Sequence, residues 1–405
     1  MYKLIFIIIF SCYIIYNLII DVINLKSLKN PIPEKLNDIY DSETYLKWKK
    51  YKFDNTMVSL IFTNIELFLI LFFFIFNIHS KIEKLVDGNV YINSLIVIGF
   101  YILIDFILST VSSYIFTMVI EEKYGFNKTK LNTFIKDRIR NLLLTAILTC
   151  GILMLFIKLY SILGNYIILA FIAILVLLLL LVLILYPYLS KISNKFEELE
   201  DCELKTKLTE LLNNHGYTIR KIEIMKASER TTKSNAYFTG SGKTKTIVLY
   251  DNLLETMTPD ELCAIFAHEM GHGLNKDTLK NNVMSFLLIS IIVFTMWLLV
   301  NFKQIYTDFG FNTINYGFAF IILSYIIMPF ISTLIGLLTN FISRKAEYRA
   351  DYQAVKEGYG PDLINALKKL SKANFAQLNP SKVIIALSYS HPPLLQRIEA
   401  IEKNL

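Results

Sequence analysis

The stretch ILAFIAILVLLLLLVLILY, residues 168–186, contains no charged side chain, no glycine and no proline. A helix rises about 1.5 Å per residue, so about 20 apolar residues are needed to cross the hydrocarbon core of a bilayer. The stretch and its apolar neighbours therefore predict a membrane-spanning helix over residues 165–187. The composition agrees, because 54% of the 405 residues are hydrophobic and 19% are charged, against about 45–50% and about 25% in soluble domains.

Six further apolar segments of comparable length lie elsewhere in the chain. The seven predicted spans are residues 4–24, 58–78, 94–119, 142–162, 165–187, 283–302 and 316–340. No small-residue cleavage site follows the first span, so we interpret it as a retained anchor rather than a signal peptide. The short turn at Gly164 predicts that the fourth and fifth spans form a helical hairpin. The predicted fold class is an all-α polytopic membrane protein of about seven transmembrane helices.

The positive charges are concentrated in a few loops. Loop 25–57 holds seven lysines, and loop 120–141 holds six lysines or arginines. The positive-inside rule places these loops in the cytoplasm, and the alternation of spans then places the insertion 188–282 and the tail 341–405 on the same side. This distribution accounts for the net charge of +7, so we expect no nucleic-acid partner.

These boundaries predict four regions. They are an N-terminal transmembrane region, a cytoplasmic insertion, a pair of transmembrane helices and a C-terminal cytoplasmic region, at residues 1–190, 191–282, 283–340 and 341–405.

The insertion has the pattern of a small α+β unit. A helix is predicted over 192–214, and strands near 234–239 and 245–250 flank a Gly-Ser-Gly turn. A second helix is predicted after Thr258, because this capping residue is followed by Pro and then by Glu three residues after the cap. Gly273 is a candidate for the end of that helix.

The second helix carries the sequence HEMGH, residues 268–272. His268 and His272 are four residues apart and share a helix face, so both imidazoles can bind one Zn²⁺ at about 2.0–2.1 Å. Glu269 lies beside them, where a carboxylate can take a proton from an activated water. A structural role for the histidines is the alternative. The four cysteines show no C-x-x-C spacing, which argues against a thiolate zinc site.

A catalytic zinc also requires a third protein ligand and an open position. The stretch SRKAEYRADYQA, residues 343–354, follows the last span on the same predicted face and places Glu347 and Asp351 four residues apart. One carboxylate can bind the metal while the other accepts a hydrogen bond from a ligand imidazole. A solvated helix in which Arg344, Lys345 and Arg349 neutralise these acids is the alternative.

HEMGH followed by SRKAEYRAD resembles the type I CAAX prenyl protease family of integral-membrane zinc metallopeptidases. Three further stretches resemble this family: EEKYGFNKTKLNTFIKD at 121–137, SNAYFTG with KTIVLYDNLLE within 234–255, and SHPPLLQRIEAI at 390–401. The resemblance implies seven helices enclosing a chamber, with a zincin-like site in the α+β insertion.

The resemblance also implies roles for individual residues. It assigns His268, His272 and Glu347 as ligands of one Zn²⁺ per chain, Glu269 as general base, and Asp351 as partner of a ligand histidine. One departure is visible, since Asp277 stands where eukaryotic members commonly have a further histidine.

Two other segments are implied to meet the substrate. Asn235 matches a substrate-contacting residue, and we expect its strand, including Ala236 and Tyr237, to pair with an extended peptide through main-chain hydrogen bonds. His391 and Arg397 match groups near the site that stabilise an oxyanion.

The predicted function is that of a zinc-dependent membrane endopeptidase that releases the last three residues of a prenylated CAAX protein. The expected partners are a peptide or protein substrate and the lipid bilayer. We expect the endoplasmic reticulum membrane in a eukaryote, the plasma or inner membrane in a prokaryote, and a cytoplasmic catalytic face. Two alternatives stay open: a bacterial-type quality-control metalloprotease of membrane proteins, and a transporter or scaffold with a structural HEMGH.

Overall fold

A computed structural model describes residues 1–127, 129–193, 195–229, 235–239 and 244–405. The chain divides into two compact units. The first, here called the apolar unit, comprises Met1–Leu25, Tyr51–Leu179 and Met284–Ile335. The second, called the mixed unit, comprises Lys26–Lys50, Leu180–Val283 and Gly336–Leu405.

Helices make up most of the described structure. In chain order they are α1 Tyr2–Ser27, α2 Ser42–Ile75, α3 Ile78–Glu83, α4 Val90–Tyr114, α5 Glu122–Tyr124, α6 Leu131–Leu163, α7 Ile167–Ser193, α8 Glu203–Asn213, α9 Asp251–Thr256, α10 Pro259–Leu274, α11 Asp277–Asn301, α12 Lys303–Asp308, α13 Tyr316–Ile322, α14 Met328–Lys356, α15 Gly360–Ala373, α16 Lys382–Ser388 and α17 Leu394–Glu402. Short 3-10 turns occur at Glu34–Leu36, Gly164–Tyr166 and Ala227–Glu229, and π-helical turns at Ile115–Glu121 and Leu323–Ile327.

Each of the seven predicted spans falls largely within a helical stretch of the structure. Within the described ranges, six stretches are long and apolar enough to cross a membrane: Tyr2–Ser27, Ser42–Ile75, Val90–Tyr124, Leu131–Leu178, Asp277–Asn301 and Tyr316–Lys356. The stretch Leu131–Leu178 contains both α6 and the start of α7, and therefore covers two predicted spans.

The predicted hairpin at Gly164 is confirmed by a ring contact between α6 and α7. Gly164 has a φ of 52°, a positive value that glycine adopts without steric cost because it has no Cβ atom. The rings of Phe156 and Phe171 lie 5.3 Å apart, whereas a continuous helix would separate these positions by about 22 Å. The chain therefore reverses direction at this turn.

The apolar unit has a core rich in aromatic side chains and a surface with many exposed apolar side chains. Its fully buried side chains include Phe10, Phe74, Phe156, Phe309 and Phe318. By contrast, Ile147 is 68% exposed and Leu169 is 71% exposed. Apolar exposure of this extent on a helix is expected of a surface that meets lipid.

The mixed unit contains a four-stranded sheet of order β1-β2-β4-β3. The strands are β1 Phe196–Glu198, β2 Thr218–Met225, β3 Ala236–Thr239 and β4 Thr244–Tyr250. β1 is antiparallel to β2, β2 is parallel to β4, and β3 is antiparallel to β4. The pairing of Ala236 with Leu249 confirms the predicted hairpin. Its Ser234 and its Gly-Ser-Gly turn lie outside the described residues.

The prediction of one helix over 192–214 is wrong in its first half. Helix α7 continues to Ser193, and Phe196 then pairs with Met225 in β2. The charged helical pattern holds only for α8. A strand as short as β1 is stabilised by its partner strand rather than by its own sequence, so the local pattern did not reveal it.

Helix α10 begins as predicted. Thr258 Oγ1 accepts a hydrogen bond from Glu261 N at 3.2 Å, and Thr258 N donates to Glu261 Oε2 at 2.8 Å. This reciprocal cap fixes the start of α10. The helix continues through Gly273 and ends at Leu274, one residue beyond the predicted candidate.

Candidate metal centre

Helices α10 and α14 of the mixed unit approach closely at Gly271, inside HEMGH. A Cβ atom on Gly271 would lie 2.8 Å from Ala350 Cα and 3.0 Å from Gln353 Cβ. Because the first of these neighbours is backbone, no side chain fits at this position without separating the helices. The glycine thus allows the face of α10 that carries two histidines to meet the face of α14 that carries Glu347.

Three potential ligand side chains converge at this crossing. Glu347 Oε2 lies 3.6 Å from His268 Nε2, and Glu347 Oε1 lies 3.3 Å from His272 Nε2. The ligand atoms of the three residues lie within 4.8 Å of one another. Ligand atoms bound to one tetrahedral Zn²⁺ at about 2.0–2.1 Å would be about 3.3 Å apart, so the spacing suits a metal ion.

The environment of Glu347 also suits a metal. The residue is 3% exposed, and in the described structure its Oε2 accepts no hydrogen bond, although Arg397 Nη1 lies 3.3 Å away. A buried carboxylate oxygen without a hydrogen-bond donor is costly. A cation between the two imidazoles would compensate for this cost.

The Nδ1 atom of His268 faces a buried ion pair. It lies 2.8 Å from Asp351 Oδ1. Arg397 donates to the same carboxylate twice, from Nε to Oδ2 at 2.9 Å and from Nη2 to Oδ1 at 2.6 Å. Asp351 and Arg397 are 1% and 9% exposed. We call His268, Asp351 and Arg397 the buried arm of the centre.

The Nδ1 atom of His272 faces a second carboxylate, 3.1 Å away in Asp277. Asp277 also accepts from Lys280 at 2.9 Å and from Arg349 at 3.2 Å. The side chains of these two cations are 50% and 45% exposed. We call His272, Asp277, Lys280 and Arg349 the surface arm.

Two carboxylates, Glu347 and Asp277, raise the pKa of His272. Burial would lower the pKa of His272, but the hydrogen bonds with Glu347 and Asp277 outweigh it and raise the pKa to about 9. The sequence analysis did not give Asp277 this contact. The sequence signals for it were an acidic residue five positions after His272 and its place where the resemblance implies a further histidine.

A cavity of ≈ 320 Å³ opens beside the three potential ligands. Glu269 is half-buried in its wall, and Asn235 and Ala236 line it where β3 begins. Five aliphatic residues form an apolar part of the wall: Leu253, Ile265, Leu363, Leu367 and Leu370. Two more of the predicted site residues, His391 and Arg397, complete the lining.

The remaining predicted residues differ in their placement. His391 has a side chain that is 63% exposed, and its Nε2 lies 3.2 Å from Glu347 Oε1. Asn235 uses its side-chain oxygen to accept a hydrogen bond from Ala236 N at 2.9 Å. Tyr237 packs against the cluster that contains Met225 and Val248, so its side chain is not part of the cavity wall.

Comparison with known proteins identifies the family. The model of peptidase family M48 matches residues 198–405, which contain all three potential ligands. The chain belongs to this family. A second model, described as the CAAX prenyl protease N-terminal region with five membrane helices, matches residues 21–191 of this M48 protein.

Individual relatives match almost the whole chain. The CAAX prenyl protease 1 homolog of Arabidopsis thaliana is 31% identical, over 96% of this chain and 94% of its own length. The Saccharomyces cerevisiae CAAX prenyl protease 1 is 29% identical, over 93% and 90%. The crystal structure of S. mikatae Ste24p superposes with a TM-score of 0.88 at 27% identity and covers 99% of both chains.

These matches establish the general activity of this M48 protein. It is a multi-pass membrane metalloprotease of the CAAX prenyl protease type, as the motifs predicted. The family implies a metal ion, generally zinc, which agrees with the donor set at the crossing of α10 and α14. The alternative of a transporter or scaffold with a structural HEMGH finds no support.

Proposed function

We propose that this protein is a zinc-dependent endopeptidase that releases the C-terminal tripeptide of prenylated CAAX proteins. His268, His272 and Glu347 hold one Zn²⁺ per chain. The observation that carries this proposal is the convergence of these three side chains from two helices beside an open cavity.

When bound there, zinc supplies Lewis-acid polarisation of the scissile carbonyl and acidifies water. Glu269 precedes the Gly271 crossing on α10 and borders the cavity without belonging to the donor set. Its carboxylate accepts a proton from the attacking water and later delivers it to the leaving amine.

Two groups that lie against Glu347 divide their roles. His391 has an exposed ring beside the cavity, from which it donates a hydrogen bond to the oxyanion that forms on the substrate carbonyl. Arg397 commits Nε and Nη2 to Asp351. Its main contribution is therefore to hold Asp351 against His268, while its Nη1 lies 3.3 Å from Glu347 Oε2.

The substrate lies along β3. This strand is at the end of the described sheet, so its outer edge has main-chain groups that can pair with an extended peptide. Asn235 and Ala236 place the start of this edge in the cavity wall. Tyr237 contributes through its backbone, and the leucine-lined wall accepts apolar substrate side chains.

The membrane setting supports a lipidated substrate. The relatives that match most of the chain are named CAAX prenyl proteases. A prenyl group partitions into the bilayer and carries a protein C-terminus to an enzyme embedded there. We place the catalytic face in the cytoplasm, on the side of the lysine-rich loops, and the protein in the endoplasmic reticulum membrane of a eukaryotic cell.

Cleavage assays with the Glu269→Gln variant test the proposal. A farnesylated CAAX peptide should be cut by the wild type, and the rate should fall by about 10²–10⁴-fold in the variant because the proton acceptor is lost. An unprenylated peptide and an unprenylated membrane protein are assayed in parallel. Equal or faster cleavage of the unprenylated substrates would favour the quality-control alternative, and an active Glu269→Gln enzyme would contradict the role of Glu269.

A further inference from the structure

We propose that Asp277 is a positioning residue of the metal centre. It fixes the ring of His272 and, through Arg349, the helix that carries Glu347. This inference rests on the proposed function, in which His272 and Glu347 are zinc ligands. It concerns the carboxylate itself, whose contacts come from three different parts of the mixed unit.

The first step is the orientation of the His272 ring. Nε2 lies 3.3 Å from Glu347 Oε1, while Nδ1 lies 3.1 Å from Asp277 Oδ2. A neutral imidazole that donates from Nδ1 to a carboxylate presents an unprotonated Nε2, the form required for metal binding. The side chain of His272 is 23% exposed, against 9% for His268. Because the His272 ring is more exposed than the His268 ring, packing fixes its orientation less. Its orientation therefore depends more on the hydrogen bond with Asp277.

The second step is the backbone conformation that places Asp277 beside His272. Only Asn275 and Lys276 separate the end of α10 from the start of α11. Lys276 has a φ of 54°, a left-handed conformation that a non-glycine residue adopts at a cost. Asn275 Nδ2 donates to Gly271 O at 2.8 Å. This tight connection turns the chain back, so that the first residue of α11 meets the second histidine of α10.

The third step is the division of contacts between the two carboxylate oxygens. Oδ2 faces His272, whereas Oδ1 accepts from Lys280 and Arg349. Arg349 is two residues from Glu347 on α14. Asp277 therefore links α10, which carries two ligands, to α14, which carries the third. It is 7% exposed although its two cationic partners reach solvent.

Zinc affinity measured by chelator competition on the full-length protein in detergent tests this role. Asp277→Ala should lower the affinity by about 10–100-fold, the usual effect of removing a carboxylate that orients a ligand histidine. Asp277→Asn keeps an oxygen that accepts from Nδ1 and should lose less. Asp260→Asn is the matched control, because Asp260 pairs with Lys207 at 2.7 Å in the first turn of α10 and makes no described contact with the centre.

A second readout separates positioning from general stability. The visible absorption of the Co²⁺-substituted protein reports ligand geometry and should change in Asp277→Ala but not in Asp260→Asn. Unchanged zinc affinity and an unchanged Co²⁺ spectrum in Asp277→Ala, together with loss of zinc in His272→Ala, would overturn the role of Asp277 alone. Unchanged zinc in both variants would overturn the assignment of His272 as a ligand as well.

Discussion

The two histidines of HEMGH are supported by carboxylates in two different environments. In the buried arm, Asp351 accepts two hydrogen bonds from Arg397, and both residues are shielded from solvent. In the surface arm, Asp277 is paired with Lys280 and Arg349, whose side chains are about half exposed. The difference is one of dielectric environment, since charge pairs near water are weakened by solvent and by salt.

This comparison predicts how each arm responds to substitution of its residues, to pH and to salt. Loss of one partner in the buried arm leaves a charge that water cannot reach, so folding and metal binding both suffer. The surface arm tolerates loss of a cation better, because solvent replaces it. We therefore expect the buried arm to dominate stability and the surface arm to dominate the response of the centre to pH and salt.

The largest effect is expected for Asp351→Ala. It leaves Arg397, which is 9% exposed, without its two hydrogen bonds to Asp351 and with only the 3.3 Å ion pair to Glu347 among the described ion pairs. Loss of one partner from such a buried ion pair costs about 3–5 kcal/mol in the free energy of unfolding. Thermal denaturation in detergent and zinc content check this. The double variant Asp351→Leu with Arg397→Met should recover much of the stability but not the zinc affinity. A single variant as stable as the wild type would contradict the description of the buried arm.

Gly271→Ala should have the next largest effect. The added methyl group would lie 2.8 Å from Ala350 Cα, so α10 and α14 must separate, at about 1–3 kcal/mol and with weaker zinc binding. Gly273→Ala is the control, because its Cβ meets the hydroxyl at the tip of Tyr217, 2.9 Å away, which a flexible side chain can move. Equal zinc affinities for the two variants would show that the spacing of the helices is not critical.

The pH dependence of zinc binding is expected to follow the protonation of His272. Zinc binds the deprotonated ring of His272, whose pKa is raised to about 9 in the metal-free site, where burial is outweighed by Glu347 and Asp277. Below that pH a proton must leave, so the apparent affinity should fall about tenfold for each pH unit downwards. In Asp277→Asn the pKa of His272 should fall and the affinity should level off at a lower pH. Calorimetry in buffers of different ionisation enthalpy counts the released proton.

The smallest effect is expected for Lys280→Ala. Lys280 is half exposed and lies within one helical turn of Asp277, and its exposure to solvent limits the contribution of this ion pair to below about 1 kcal/mol. Zinc affinity should change less than in Asp277→Ala, and the change should shrink as salt is raised. An effect as large as that of Asp277→Ala would contradict the claim that solvent weakens the ion pairs of the surface arm more than those of the buried arm.

Some features could be predicted because they are local. The membrane spans follow from the length of apolar runs, the start of α10 follows from Thr258 and Glu261, and the shared face of His268 and His272 follows from helical spacing. The spacing of Glu347 and Asp351 left open which of them faces the histidines, and only the family resemblance assigned Glu347 as the ligand. In the structure Glu347 meets both Nε2 atoms and Asp351 meets one Nδ1. The assignment of zinc ligands and the four-region division of the chain stay predictions.

Other features depend on contacts that local patterns do not encode. β1 exists because β2 is beside it, and α8 separates these two strands in the chain. Asp277 reaches His272 only because Lys276 adopts a left-handed conformation between two helices. The sequence shows that residue 277 is acidic, but not that its carboxylate points towards His272. A single turn between α10 and α11 thus decides which carboxylate supports the second histidine.

Zinc content measured per chain in Glu347→Gln and Glu269→Gln, purified in parallel, tests the central claim most directly. Both carboxylates border the same cavity, but only Glu347 lies with its oxygens between the imidazoles. The account predicts one zinc per chain in Glu269→Gln, as in the wild type, and little or none in Glu347→Gln. Full zinc in Glu347→Gln, or loss of zinc in Glu269→Gln, would contradict it.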